Sequence, residues 1–221
     1  MEKLMSILNK TGGLKPALSL LIAVAVLVGF AGCAEDDSPG VDSELTMADF
    51  VDRGWDNFEA GDYLAARADF QTALGRDAGL VDAYNGAGWA SGRIIDGLNA
   101  AETYFNDCLA RDPSKWDAVG GLTFIKLQSA DLDSARLRAA LDLGSQLLTA
   151  KPRWRFLHDS NLDYKDVLLA LAAAWYVLGD YQASYDIVVG RLNPSFEADV
   201  SVPTGRRELF AEIERLRQIY G

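Results

Sequence analysis

Few side chains in this sequence are of kinds that carry covalent chemistry, and they stand apart from one another. His158 is the single histidine, followed by Asp159. A metal site needs several ligands at helical or loop spacing, and neither a His-Glu-x-x-His stretch nor a close cysteine pair accompanies it. No glycine-rich loop ends in Lys-Ser/Thr, and no Gly-x-Ser-x-Gly turn presents a nucleophile. Gly86, Gly88, Gly92 and Gly97 read as close helix packing and a turn. The many carboxylates include no pair that spacing selects as acid and base. Catalysis, metal and cofactor are therefore not expected. The residues that remain suit recognition. Arg153-Trp154-Arg155 is a dense basic-aromatic cluster in an acidic chain, with Phe156 placed to tuck it down. It suits peptidoglycan, lipid headgroups or a partner's acidic surface; the competing reading docks it against the helix that precedes it.

The elements that must position these residues announce themselves by a repeated triplet. Gly61-Asp62-Tyr63 and Gly179-Asp180-Tyr181 each stand between two alanine-rich amphipathic stretches. That pattern is a helix, a tight turn and a second helix. No strand-like alternation runs through the chain and only six prolines interrupt it, so the expectation is all-α. Ala66, Phe70, Ala73 and Leu74 share one helix face; thirty-five residues on, Ala101, Phe105, Cys108 and Leu109 repeat it. Asp77 and Asp112 also correspond, followed by Ala78 and Pro113 where the helix should stop. Such a pair cannot bury its apolar faces alone and must stack on neighbours.

The period, the Gly-Asp-Tyr turn and the Ala/Phe/Ala spacing resemble the tetratricopeptide repeat. The first unit, about 46–79, has Gly54, Phe58, the turn at Gly61 and then Ala66, Phe70 and Ala73. The second, about 81–114, has Tyr84 and Gly88, then Ala101, Phe105, Cys108 and Pro113. A third starts with Trp116, Gly120 and Phe124, turns at Ala130-Asp131-Leu132 and continues with Ala135 and Ala139. The fourth has Leu168, Leu171, Ala172, Trp175 and Tyr176, its turn at Gly179, then Ser184, Val188, Leu192 and Pro194. The resemblance implies a right-handed superhelix of antiparallel helix pairs: about four repeats plus a C-terminal capping helix. The cap is read at about 205–220 from the stripe Leu209, Phe210, Ile213, Leu216 and Ile219, with a dimerisation helix as the alternative. Between the third and fourth units the spacing stretches, and the excess falls at about 149–165 as an inserted loop emerging at the turn, or as a lengthened third-unit helix followed by a loop.

In that family the first helix of each pair lines a concave groove that takes an extended peptide or helix. Carried over by position, the groove residues are Trp55, Phe58 and Glu59; Asn85, Trp89 and Arg93; Asp117, Gly121 and Phe124; and Asp166, Tyr176 and Ala173. Trp55 and Trp89 are expected either as exposed anchors for a partner or as packing between adjacent helices. Asn85 and Arg93 resemble the polar groups with which the family grips peptide backbone or a carboxylate.

The N-terminus supplies an address. Lys3, Lys10 and Lys15 precede an uncharged stretch, Ala17 to Gly32, that ends in Phe30-Ala31-Gly32-Cys33. This is the form of a secretory signal, and about sixteen residues are short of the roughly twenty that a transmembrane helix needs. The strip before Cys33 resembles the lipobox of bacterial lipoproteins, with Phe30 where leucine is usual. It implies removal of residues 1–32, acylation of Cys33, and then a flexible acidic tether over 33–45. In a Gram-negative host, the lack of aspartate directly after Cys33 implies the periplasmic face of the outer membrane. Removing three lysines and one glutamate from 21 basic and 32 acidic residues leaves 18 and 31, a net charge of −13. That balance argues against nucleic acid and against electrostatic adhesion to anionic lipid, so acyl chains must do the anchoring. Cys108 is left without a disulfide partner and reads as a small buried hydrophobe.

The functional expectation is a non-catalytic, lipid-anchored envelope scaffold holding a protein or peptide in its groove. The alternative is a structural or self-associating subunit whose groove is filled by another copy or by its own residues 195–221. A carbohydrate or small-molecule binder would need a closed aromatic pocket instead.

Overall fold

The computed structural model describes residues 45–220. The leader, Cys33 and nearly all of the acidic tether lie outside the described residues. The chain forms α1 (Met47–Glu59), α2 (Tyr63–Arg76), α3 (Val81–Gly92), α4 (Leu98–Arg111), α5 (Trp116–Gln128), α6 (Ser134–Ala150), α7 (Tyr164–Val177), α8 (Tyr181–Ile187) and α9 (Pro203–Tyr220), with one π-helical turn at Val188–Leu192 continuing α8. Consecutive helices pair antiparallel, the pairs stack, and α9 closes the far end against α7. This is the all-α, tetratricopeptide-like solenoid with a capping helix that the repeat pattern implies.

The recurring triplet has a local cause at each position. Gly61 and Gly179 adopt φ of 84° and 82°, a region that side chains disfavour. The aspartate that follows caps the next helix: Ala65 N–H donates to Asp62 and Ala183 N–H to Asp180, both at 3.0 Å. The tyrosine is then the first helical residue. At the third turn no glycine is present, and Asp131 and Leu132 carry the positive φ, 43° and 66°, at a steric cost.

That turn also corrects the sequence reading of the third unit. Asp133, not Asp131, caps α6, accepting from Ala135 N–H. The helix therefore starts two residues later than a Gly-Asp-Tyr alignment places it. The buried positions are Leu137, Leu141 and Gly144, while Ala135 is exposed and Ala139 half-buried. With the cap as origin the register is uniform: Ala66, Ala101, Leu137 and Ser184 occupy one position, Phe70, Phe105, Leu141 and Val188 the next. Ser184 is buried at a place that alanine usually takes because its hydroxyl donates to Ala172 O at 2.8 Å.

Two aromatic rings set the spacing between neighbouring units. Phe70 on α2 lies between Gly54 of α1 and Gly86 of α3, and Phe105 on α4 lies between Gly88 of α3 and Gly121 of α5. A Cβ at Gly86 would sit 2.3 Å from the Phe70 ring, and one at Gly121 2.2 Å from the Phe105 ring. Gly121, expected on the groove, is thus a packing notch. At the C-terminus Leu209, Ile213 and Leu216 are buried, and Phe210 packs on Tyr176. Among the described residues no helix is long and apolar enough to cross a membrane.

Gly86→Ala should destabilise the fold by about 1–3 kcal/mol, since the ring must move and with it the unit spacing. Gly75→Ala, where the added methyl meets nothing within 4 Å, should be neutral or stabilise by up to about 1 kcal/mol. Urea melts of the two variants compare these directly.

Candidate functional site: a concave face closed by the chain's own loop

α6 ends at Ala150, and the chain does not proceed directly to the fourth unit. It runs back across the first helices of the preceding units and returns to begin α7 at Tyr164. Backbone bonds hold the excursion in shape: Phe156 N–H donates to Leu162 O at 2.9 Å and Tyr164 N–H to Trp154 O at 2.8 Å. They flank a single antiparallel bridge between Arg155 and Asp163. Extended backbone sends successive side chains to opposite sides. Trp154 and Phe156 are accordingly buried and Arg155 between them faces out, while Arg153 and Leu157, each in a flanking turn, are exposed.

Each inward side chain meets a residue that the sequence assigns to the groove. The Trp154 indole packs over Gly120 and donates to Asp117 Oδ1 at 2.8 Å. Phe156 is fully buried, stacked on Trp89 with ring centres 4.2 Å apart and edge-on to Trp55 and Phe58. His158 stacks on Trp55 at 3.7 Å with the rings nearly parallel, and its Nδ1 lies 2.8 Å from Glu59 Oε1. Arg93 donates to Asp159 Oδ2 at 3.0 Å, both side chains being largely withdrawn from solvent. Trp55 is itself held from behind, its indole donating to Asp82, which also takes Lys115 at 2.6 Å. Partial burial works against the charge on Asp82, but these hydrogen bonds hold its carboxyl below the usual carboxylate range.

The first helices therefore do line a concave face, and the chain's own loop lies on it. Trp55 and Trp89 each keep only 6 % of their surface exposed. Phe124 is buried beside Trp89, Arg93 and Phe105. Asn85 is buried too; its Oδ1, like the Trp89 indole N–H, has no hydrogen-bond partner among the described residues. Tyr176 lies apart from this cluster, between Tyr181 and Phe210 of the capping helix, where burial pushes its phenol above its ordinary value. The loop does not project from the turn: its apolar side chains are drawn across three units by the aromatic surface they cover, and Trp154 lies with Leu147 of α6 at Gly120. The expectation that residues 195–221 would fill the groove is corrected with it, because α9 packs at the end of the stack. Sequence reasoning missed the roles of His158, Asp159 and Gly120; the alternation Trp154-x-Phe156-x-His158 was the available signal.

The outward side of the same segment forms the rim of an open cleft of about 620 Å3 between the N-terminus of α5 and the end of α6. Lys115, Trp116, Lys151, Arg153 and Arg155 line it. Lys115 is paired with Asp82, whereas Lys151, Arg153 and Arg155 are exposed and make no ion pair among the described residues.

The loop's return is fastened by a capping box. Asp163 accepts from Lys165 N–H, and Asp166 accepts from Asp163 N–H at 2.8 Å. Burial, aided by the charges of Asp163 and Asp159, raises the Asp166 carboxyl to about 6. Cys108 is buried, its thiol donating to Val81 O and pushed up by burial to about 12, which removes it as a nucleophile. Among the described residues no group of three or more His, Cys, Asp or Glu is placed to hold a metal ion.

No protein-family model and no curated protein matches the chain. Among solved structures it is similar to MamA AMB-1 in crystal form C2221, at 19% identity and a TM-score of 0.53. The match covers 79% of this chain and 98% of that one. A likeness at this identity concerns the fold alone, and it supports the stacked helix-pair architecture.

Phe156→Ala should cost about 3–5 kcal/mol, as an integral core truncation does. A double-mutant cycle with Trp89→Ala should return a coupling of about 0.5–1.5 kcal/mol from the stacked pair. A cost for Phe156→Ala below about 1 kcal/mol would mean that the loop only rests on the face. Asp166 makes a separate pH prediction. Its folded pKa lies above the unfolded value, so its stabilising contribution is complete below about pH 4 and is lost as pH rises through about 6. Asp166→Asn keeps an acceptor for Asp163 N–H and has no proton to lose. Between pH 4 and 7 the wild type should lose on the order of 1–3 kcal/mol relative to this variant in urea melts. Parallel profiles would contradict the assignment.

Proposed function

We propose that this protein is a non-catalytic, lipid-anchored scaffold of the cell envelope, whose concave face is a finished structural surface built from its own chain. The observation that carries this reading is the burial of Phe156 among Trp55, Phe58 and Trp89. Of the two expectations, a groove open to a peptide and a groove filled by the chain itself, the geometry favours the second. Partners then meet the outer face of the loop and the remaining helix surfaces rather than the aromatic floor. Interaction, not reaction, is the role supported by the stacked helix pairs and by a lone histidine engaged in packing. The anchor rests on the sequence, through the resemblance of Phe30-Ala31-Gly32-Cys33 to a lipobox. A stable anchor takes more than one acyl chain, as a single chain binds only marginally. In a Gram-negative host the location would be the periplasmic face of the outer membrane.

Intact mass of detergent-extracted protein should show a chain beginning at an acylated Cys33, and Cys33→Ser should release it from the membrane fraction. A mature chain that starts elsewhere and carries no lipid would overturn the anchoring.

A further inference from the structure

The closed loop creates a surface that an open groove would lack. Burying Trp154 and Phe156 leaves Arg153, in the turn closed by Trp154 N–H donating to Lys151 O, and Arg155, at the bridge with Asp163, both exposed at the rim. Lys151 lies at the same rim, and the half-buried Trp116 offers an apolar contact within the cleft. Of the acids nearby, Asp82 is ion-paired with Lys115; Asp117 and Asp112 accept hydrogen bonds from neutral donors and keep their charge, and Asp142 stands beside Trp116. Three unpaired cations thus fall within five residues of a chain whose net charge is −11.

We propose that the cleft walled by Lys151, Arg153, Arg155 and Trp116 binds an extended acidic segment of a partner protein. The assignment deepens the scaffold reading and rests on it, by naming the chemistry of the partner. Charge complementarity selects an acidic ligand, because Lys151, Arg153 and Arg155 are exposed cations with no ion-pair partner among the described residues. The cleft is open to solvent, so an extended segment can lie in it with its backbone still hydrated. An aromatic or branched residue beside the acids would rest on Trp116. A flat anionic membrane fits less well, since bringing it close sets the whole acidic body against lipid charge.

The probe is a fluorescein-labelled peptide of alternating glutamate and threonine ending in phenylalanine, titrated by anisotropy against the unacylated chain from Cys33 onward, which retains every described residue. Binding should weaken at least about tenfold in Arg153→Glu/Arg155→Glu and in raised salt. It should be unchanged in Arg138→Glu/Arg207→Glu, the same charge change at exposed arginines elsewhere. Arg153→Gln/Arg155→Gln repeats the test if charge reversal lowers the melting temperature. Absence of binding, or equal loss in the two double variants, would overturn the assignment while leaving the lipid anchor and the closed face intact. So would phosphatidylglycerol vesicles that need the two arginines when the peptide does not. Peptide binding that emerges only after Glu35, Asp36, Asp37, Asp42 and Glu44 are neutralised would also overturn it, by giving the cleft to the chain's own acidic stretch.

Discussion

The stack of Phe156 on Trp89 is the contact on which the form of this protein depends. A solenoid of short helix pairs buries the faces between its units but leaves a concave side, and here that side carries two tryptophans and a phenylalanine. Water against so much aromatic surface is costly, at roughly 25 cal/mol per Å2. The insertion before α7 removes it from water by laying Trp154, Phe156 and His158 across three units. The loop is held by packing at its centre and by polar bonds at its edges: Trp154 to Asp117, Arg93 to Asp159, and the capping box at Asp163. The polar contacts specify where the loop lies, and the rings supply most of the reason that it stays.

This closure links packing to function. The residues best suited to grip a ligand are engaged within the molecule, so recognition moves outward to whatever the loop presents on its other side. At the bridge, extended backbone makes the two faces inseparable: whatever fixes Trp154 and Phe156 inward also fixes Arg155 outward, and the turn before it leaves Arg153 exposed beside it. The uncapped start of α5 and the end of α6 then frame those cations as a cleft rather than leaving them scattered.

Much of the fold was legible because its signals are local. A glycine that tolerates positive φ, an aspartate that caps and a tyrosine that begins the helix are consecutive residues with one meaning each. Phe70 and Phe105 recur at a fixed distance because each needs a glycine notch on both neighbouring helices. The third unit misled where its turn lacks glycine, since only the capping hydrogen bond of Asp133 reveals that α6 starts two residues late. Of the residues that the resemblance assigns to a groove, Trp55, Phe58, Glu59, Trp89, Arg93 and Asp117 all meet the one loop, whereas Gly121 is a notch for Phe105 and Tyr176 lies by the capping helix. That Phe156 would reach Trp55, a hundred residues away in sequence, depends on where the stack puts the two, and no local pattern encodes it.

Amide hydrogen exchange at Phe156 and Tyr164 tests the closed face most directly. Both N–H groups donate to backbone carbonyls within the loop, and both are expected to exchange as slowly as amides in the middle of α3 and α5, by opening of the whole unit. Exchange at those two amides as fast as at an exposed turn, with α3 and α5 still protected, would show the loop leaving the groove on its own and would contradict this account.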